Sequence, residues 1–271
     1  MESLNIQSHK RFILFDCDGV IWRGNHPIDG AVATLENLEK QNCHLGFITN
    51  NSSLSRQKFR SKFVKLGFNP KNYYINNSAY GAASYIKQMK ISKVFMIGEQ
   101  GLREELEDQS VYVTEKYEIG LEGVVIGWDR GLTWQKLADA MHVILSDGGL
   151  FVATNPDNSF PLEDRLVPGA GAGIAALSNA CNKEPDIIIG KPNRFLIDLA
   201  LNDMGCTNRT QAILVGDRLS TDILAGINAG IETVQVRTGI SDIYLGNKVS
   251  PTYEIESIRD IFSIMKLERD Y

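Results

Sequence analysis

An apolar run, Phe12-Ile13-Leu14-Phe15, breaks directly into Asp16-Cys17-Asp18-Gly19-Val20. A short, continuous apolar run suits a strand buried on both faces of a parallel sheet. Gly19 lets the backbone turn sharply as it leaves that strand. Asp16 and Asp18 are therefore expected at the carboxyl end of a central strand, where open α/β sheets place their ligand crevice. The rest of the chain can be read as supplying partners to these two carboxylates.

With 271 residues the chain is long enough for two domains. A net charge of −5 without any basic block argues against a nucleic-acid surface or a polybasic membrane patch. No apolar segment approaches the roughly 20 residues a bilayer span needs. Met1 to Lys10 is polar and lacks the apolar core of a signal peptide. The four cysteines, Cys17, Cys43, Cys181 and Cys206, form neither a CxxC pair nor a His-Cys cluster, so zinc is not expected. Their scatter fits reduced thiols and a cytoplasmic setting. Cys17 sits inside the acidic motif but has no histidine near it in sequence, and reads as a small buried hydrophobe.

Taken in order, a helix with Val32, Leu35 and Leu38 on one face leads to a second buried strand, Leu45-Gly46-Phe47-Ile48. That strand ends in Thr49-Asn50-Asn51-Ser52-Ser53, which reads either as helix capping or as a row of ligand donors. A helix through Phe59, Phe63 and Leu66 stops at Gly67. From about residue 84 to 184 the chain carries its own strands (94–98, 123–127, 151–154) and helices, large enough for a separate small α/β domain inserted into the first. Within it, Thr133 is expected to cap a helix with apolar positions Leu137, Ala140, Met141, Ile144 and Leu145. Pro168 to Gly173 is expected to precede a helix from Ile174 to Asn182. The original pattern then resumes: Ile187-Ile188-Ile189 ends in Gly190-Lys191-Pro192, and Ala212-Ile213-Leu214-Val215 ends in Gly216-Asp217-Arg218-Leu219-Ser220-Thr221-Asp222. A helix from Ile223 to Ala229 closes at Gly230.

Four apolar strands thus end in polar groups: Asp16/Asp18, Thr49/Asn50, Lys191 and Asp217/Asp222. Each alone has an ordinary reading as a turn, a cap or a solvated lysine. If the strands share one sheet, the groups converge on one crevice. Four carboxylates there repel one another and call for a cation beyond Lys191. Carboxylate oxygens suit Mg²⁺. With Mg²⁺ and Lys191 in place, a phosphate dianion becomes a fitting ligand.

Asp-Cys-Asp-Gly-Val-Ile-Trp-Arg-Gly, Thr-Asn-Asn-Ser, Gly-Lys-Pro and Gly-Asp-Arg-x-x-Thr-Asp resemble, in order, the four motifs of the haloacid dehalogenase superfamily. The insert between the second and third motifs resembles the cap of subfamily IIA, which includes 4-nitrophenylphosphatase, phosphoglycolate phosphatase, pyridoxal phosphate phosphatase and NagD-type phosphatases. The resemblance implies an α/β protein: a Rossmann-like parallel-sheet core over residues 1–83 and 185–271, with an α/β cap over 84–184. It implies that Asp16 is the nucleophile, Asp18 the general acid and then base, and Lys191 a stabiliser of Asp16 and of the transferring oxygens. Thr49, Asn50 and Asn51 would hold the phosphoryl group. Mg²⁺ would be bound by Asp16, the Asp18 carbonyl and Asp217, with Asp222 a ligand or a support. Substrate choice would lie in the cap, around Asn155 to Pro161, where Phe160 matches a substrate-contacting position in some relatives and otherwise reads as cap packing.

The implied reaction is hydrolysis of a small-molecule phosphate monoester, of phosphoglycolate type, with 4-nitrophenyl phosphate as a generic substrate. Pyridoxal phosphate, a sugar phosphate or a phosphoprotein are alternatives. A dehalogenase is disfavoured because Asp18 is present. A receiver-like signalling domain would be about half as long, and a catalytically silent phosphate-binding protein is the remaining rival. Homodimerisation through the cap, by residues 120–127 and the helix after Thr133, is expected by analogy with relatives.

Overall fold

The structure is a computed structural model, and it describes residues 11–161, 165–239 and 249–265. Met1 to Lys10 lies outside the described residues. Two compact units emerge: residues 1–49, 60–76 and 191–271 form one, and residues 50–59 and 77–190 the other.

The first unit is built on a sheet in the order Tyr253–Ile255, Glu232–Val236, Ala212–Gly216, Phe12–Phe15, His44–Thr49, Tyr74–Asn77. Phe12–Phe15 pairs in parallel with Ala212–Gly216 on one side and His44–Thr49 on the other. All four of its residues are buried, as a strand covered on both faces requires. The chain runs outward from this strand in both directions, toward Tyr74–Asn77 on one side and Tyr253–Ile255 on the other. The switch point therefore lies at its carboxyl end. One face of the sheet packs on the helix Phe195–Asp203, through Leu196, Ile197, Ala200 and Leu201 against Leu14, Ile48 and Leu214.

Beside this sheet sits an aromatic cluster centred on Phe63, which is fully buried. Its ring meets Trp22, Phe47, Phe68 and Tyr73 at centroid distances of 4.8, 4.6, 5.5 and 5.4 Å, all four edge-on at 65–81°. Edge-to-face packing of this kind adds to the area each ring removes from water. It also fixes Trp22, four residues beyond Asp18.

The second unit has its own parallel sheet, ordered Ile187–Ile188, Leu150–Ala153, Gly123–Ile126, Lys93–Ile97, Tyr112–Thr114. Three expectations are corrected here. Ile187-Ile188 pairs with Leu150–Ala153, so the strand before Lys191 does not join the sheet of Asp16. It is only partly buried and two residues long; an apolar triplet does not say which sheet edge it extends. The glycine-rich stretch is largely inside its helix, which runs Ala170–Cys181. A Cβ at Gly171 would lie 2.5 Å from the Pro156 carbonyl oxygen, so close backbone approach outweighs glycine's poor helix propensity. Thr133 does cap the helix Trp134–Leu145, its Oγ1 accepting from the Lys136 N–H at 3.2 Å. Met141 and Leu145 of that helix are nevertheless exposed, and Val143 takes an inward place beside Leu137, Ala140 and Ile144.

Phe63→Ala is expected to destabilise the protein by about 3–5 kcal/mol, the cost of emptying a buried aromatic site. Chemical denaturation followed by circular dichroism checks it; a loss below about 1 kcal/mol would contradict this account of the cluster.

Candidate active site

Asp16 follows the central strand directly, and its N–H donates to the Val215 carbonyl at 2.9 Å. The parallel register sets Phe15 opposite Val215 and Phe47, so Asp16 emerges between the ends of the two flanking strands. Thr49 closes one of them and is buried; Asp217 follows the other. Gly19 adopts φ +87°, the turn that carries Asp18 out of the sheet.

Lys191 enters this crevice with only 3% of its surface exposed. Its Nζ donates to Asp16 Oδ1 at 2.5 Å and to Asp222 Oδ1 at 2.6 Å, with the Ile48 carbonyl at 3.4 Å. Burial disfavours the ammonium, but the two carboxylates outweigh it and push the Lys191 pKa up. Lys191 is therefore a fixed positive charge.

Asp222 lies on a single π turn, Leu219–Ile223, that leads into the helix Leu224–Ala229. The expected helix start at Ile223 thus carries an extra, wider turn, a feature that recurs at functional sites. The turn holds Asp222 with its Oδ2 accepting from the Arg218 N–H at 3.1 Å. Gly216 makes room for it, because a Cβ there would overlap the Asp222 side chain.

Oxygens of Asp16, Asp217 and Asp222 lie within 4.8 Å of one another, all buried. One ammonium cannot neutralise three carboxylates. Burial, opposed by Lys191 and reinforced by Asp222 and Asp217, holds the Asp16 pKa well above the usual carboxylate range. A nucleophilic or metal-binding role requires the ionised form. The donor set is all oxygen and short of positive charge, which fits a hard divalent cation.

Asp18 keeps an exposed side, so solvent tempers the effects upon it. Its crowded surroundings raise its pKa, against the pull of the Lys62 ammonium. Lys62 lies 4.4 Å from the centre of the Trp22 ring. Sequence gave no signal for Lys62, which reads there as one more charge on an amphipathic helix. Cys17 is buried, and its thiol is pushed up by burial and then by Asp16 and Asp18, which fits an inert side chain better than a nucleophile.

Asn50, Asn51 and Phe160 belong to the second unit. There the Asn50 carbonyl accepts from Ser78 Oγ at 2.6 Å and Asn155 Nδ2 at 2.9 Å, and its own Nδ2 donates to Asp157 Oδ1 at 3.1 Å. Asn51 Oδ1 accepts from the Ser53 N–H at 2.8 Å, a local turn. The helix that follows begins at Arg56. Its first N–H donates at 2.5 Å to Glu105, a buried carboxylate from a helix distant in sequence. The capping reading of residues 50–53 is thus corrected: a remote acid does that work. Phe160 stacks on Trp128 with centroids 4.4 Å apart and 21° between planes.

A family model described as haloacid dehalogenase-like hydrolase matches residues 13–111, and a HAD-hydrolase-like model matches 188–261. Phosphoglycolate phosphatase 2 of Arabidopsis thaliana is 35% identical over 93% of this chain and 92% of its own length. The chain belongs to the haloacid dehalogenase-like hydrolases. Within that family it is a subfamily IIA phosphatase. Human glycerol-3-phosphate phosphatase is 32% identical over 94% of this chain and 90% of its own. The crystal structure of 4-nitrophenylphosphatase from Thermotoga maritima superposes with a TM-score of 0.88 at 27% identity, covering 96% of this chain and 99% of that one. A glycerol phosphate phosphatase from Mycobacterium tuberculosis, solved in complex with magnesium, gives 0.84 at 30% identity over 98% of this chain and 80% of its own.

Lys191→Met is expected to cost this phosphatase about 3–5 kcal/mol near pH 8 in EDTA, by leaving Asp16 and Asp222 buried without their cation. Unpaired, Asp16, already held up by burial, rises further above its unfolded pKa. The penalty is therefore full above that folded pKa and fades as pH falls through it. Denaturation at pH 8 and pH 5 should show the gap to wild type narrowing at the lower pH; a gap independent of pH would refute the assignment.

Proposed function

We propose that this subfamily IIA phosphatase is Mg²⁺-dependent and hydrolyses small-molecule phosphate monoesters through a phosphoaspartate formed on Asp16. The observation that carries this reading is Lys191 held between Asp16 and Asp222 beside Asp217, a buried site short of positive charge. Asp16, Asp217 and the Asp18 carbonyl would hold the ion, with Asp222 either a ligand or, through Lys191 and the Arg218 N–H, a support. When bound, Mg²⁺ supplies charge neutralisation of the carboxylates and of the phosphoryl oxygens.

The chain's own groups perform the two displacements. An oxygen of ionised Asp16, its charge offset in part by Lys191, attacks phosphorus as the ester P–O bond breaks. Asp18, whose pKa is raised, gives its proton to the leaving alkoxide. It then takes a proton from water as that water attacks phosphorus. The Asp16–phosphorus bond breaks, releasing inorganic phosphate and restoring the carboxylate. Thr49, Asn50 and Asn51 would orient the phosphoryl oxygens, and Lys191 offsets their charge.

Phosphoglycolate-type esters are the proposed substrates, by likeness to the Arabidopsis relative. Glycerol 3-phosphate is the second reading, favoured by the human and mycobacterial relatives. Phe160, stacked on Trp128, is proposed to contribute to that choice. The core over 1–83 and 185–271 and the cap over 84–184 are proposed as the functional division. A cytoplasmic setting is proposed as well; the four cysteines are all free thiols, and among the described residues no helix is long and apolar enough to cross a membrane.

A homodimer through the second unit is proposed too. Trp134, Ala138, Met141 and Leu145 form an exposed stripe on the helix Trp134–Leu145, and Trp134 is 85% exposed. Antiparallel pairing with a second copy would set Trp134 against Leu145 and Ala138 against Met141, as a two-fold axis requires. With the exposed Tyr117 and Ile119, apolar side chain of on the order of 600 Å² per copy is offered, close to what a standard interface uses.

Phosphate release from 4-nitrophenyl phosphate is expected with Mg²⁺ and to vanish in EDTA. Asp16→Asn should lower turnover by on the order of 10³-fold or more while leaving the melting temperature within a few degrees. An active Asp16→Asn protein would remove the nucleophile assignment. A panel of phosphoglycolate, glycerol 3-phosphate, pyridoxal phosphate and sugar phosphates then ranks kcat/KM. For the dimer, Trp134→Glu should convert a two-chain species to a single chain by light scattering; wild type running as a monomer at micromolar concentration would rule the dimer out.

A further inference from the structure

Four contacts at the carboxyl end of the strand Glu232–Val236 meet the two acidic loops of the site. Gln235 Nε2 donates to the Asp217 carbonyl at 3.1 Å. Thr238 Oγ1 donates to the Gly19 carbonyl at 2.6 Å. Arg23 donates to the Thr238 carbonyl, through Nε at 2.8 Å and also through Nη2. The Gly239 backbone lies directly on the Asp217 carboxyl group, so that a Cβ there would overlap Oδ2, Cγ and Cβ of Asp217. A Cβ at Gly19 would come within 2.6 Å of the same Oδ2 and within 2.9 Å of the Gly239 Cα.

Two glycines, Gly19 and Gly239, from loops far apart in the chain thus crowd one oxygen of Asp217. The loops are tied to each other by the Thr238 hydroxyl and by Arg23. Asp217 has little freedom to swing, being 5% exposed. Its direction, toward Asp16 and Asp222, is set by what is packed against it. None of Gln235, Thr238, Gly239 or Arg23 offers a group to the reacting atoms in this arrangement; each acts through Asp217 or through the loop of Asp16 and Asp18.

We propose that the turn Arg237–Gly239 is a positioning element for the cation-binding carboxylate Asp217, with Gly239 excluding any side chain from the carboxylate's place and Thr238 locking the turn to the Gly19 loop. The inference rests on the Mg²⁺ reading above. A carboxylate moved by even a fraction of an ångström is a poorer ligand for a small ion that demands near-ideal octahedral geometry. Groups that orient a metal ligand commonly govern affinity by 10–100-fold.

The test is isothermal titration of Mg²⁺ into the full chain, beside the melting temperature in EDTA. Gly239→Ala should weaken Mg²⁺ binding by about 10-fold or more. Thr238→Val should weaken it by about 3–10-fold, while Thr238→Ser, which keeps the hydroxyl, should stay within about 3-fold of wild type. A merely structural role for Thr238 would instead lower the metal-free melting temperature of Thr238→Val and leave its Mg²⁺ affinity as in wild type. Should Gly239→Ala fail to fold, the comparison of Thr238→Val with Thr238→Ser decides. Wild type that binds no Mg²⁺ would overturn the metal reading and this inference with it. Wild type that binds, with Thr238→Val and every folded variant binding equally well, would overturn this inference alone.

Discussion

The site depends on one buried ammonium. Lys191 Nζ sits within 2.6 Å of both Asp16 and Asp222, with the Asp217 carboxylate in the same cluster. Burying any one of these charges alone costs several kcal/mol, and mutual attraction repays it only where the geometry is tight. The surrounding structure supplies that geometry. The sheet's switch point opens a crevice at the end of Phe12–Phe15, the π turn aims Asp222, and glycines at 19, 216 and 239 leave space that the Asp217 and Asp222 side chains fill. Even so, the charges do not balance. Burial first, and then Asp222 and Asp217, hold the Asp16 pKa up despite Lys191, and the proposed cation would offset that excess of negative charge.

The second unit shows a related economy in its hydrogen bonds. Asn50, Ser78, Asn155 and Asp157 satisfy one another in a buried or nearly buried network. The helix from Arg56 takes its first hydrogen bond from Glu105 and not from the polar run just before it. Buried polar groups must find partners, but the partner need not be local. Here each partner comes from a segment about 25 to 110 residues away, which is why a capping rule read along the chain does not find the acceptor.

Much of the site was legible in the sequence because strands buried on both faces carry a strong signal. An apolar run ending in Asp, Thr or Gly-Asp marks a strand end, and strand ends of a parallel sheet share one side. Asp16, Thr49, Asp217 and Asp222 could be read in this way. Lys191 meets Asp16 and Asp222, but by a different route from the one its sequence suggested. The strand before it belongs to the other sheet, and its side chain reaches Asp16 from the segment that returns to the first unit. The glycine-rich helix start at Ala170 and the exposed faces of Met141 and Leu145 were missed because periodicity reports that a residue is apolar, not what lies against it.

What the sequence determined by itself was the set of chemical groups, their order, and the parallel α/β character of the chain, since burial pattern and strand-end chemistry are local properties. What only the tertiary structure decided was pairing: which sheet Ile187-Ile188 extends, that Lys191 bridges Asp16 and Asp222, that Lys62 stands over Trp22 near Asp18, and that Gly239 bears on Asp217. Contacts between residues some 20 to 200 positions apart are selected by packing and by charge neutralisation in a shared interior. No window along the chain contains both partners.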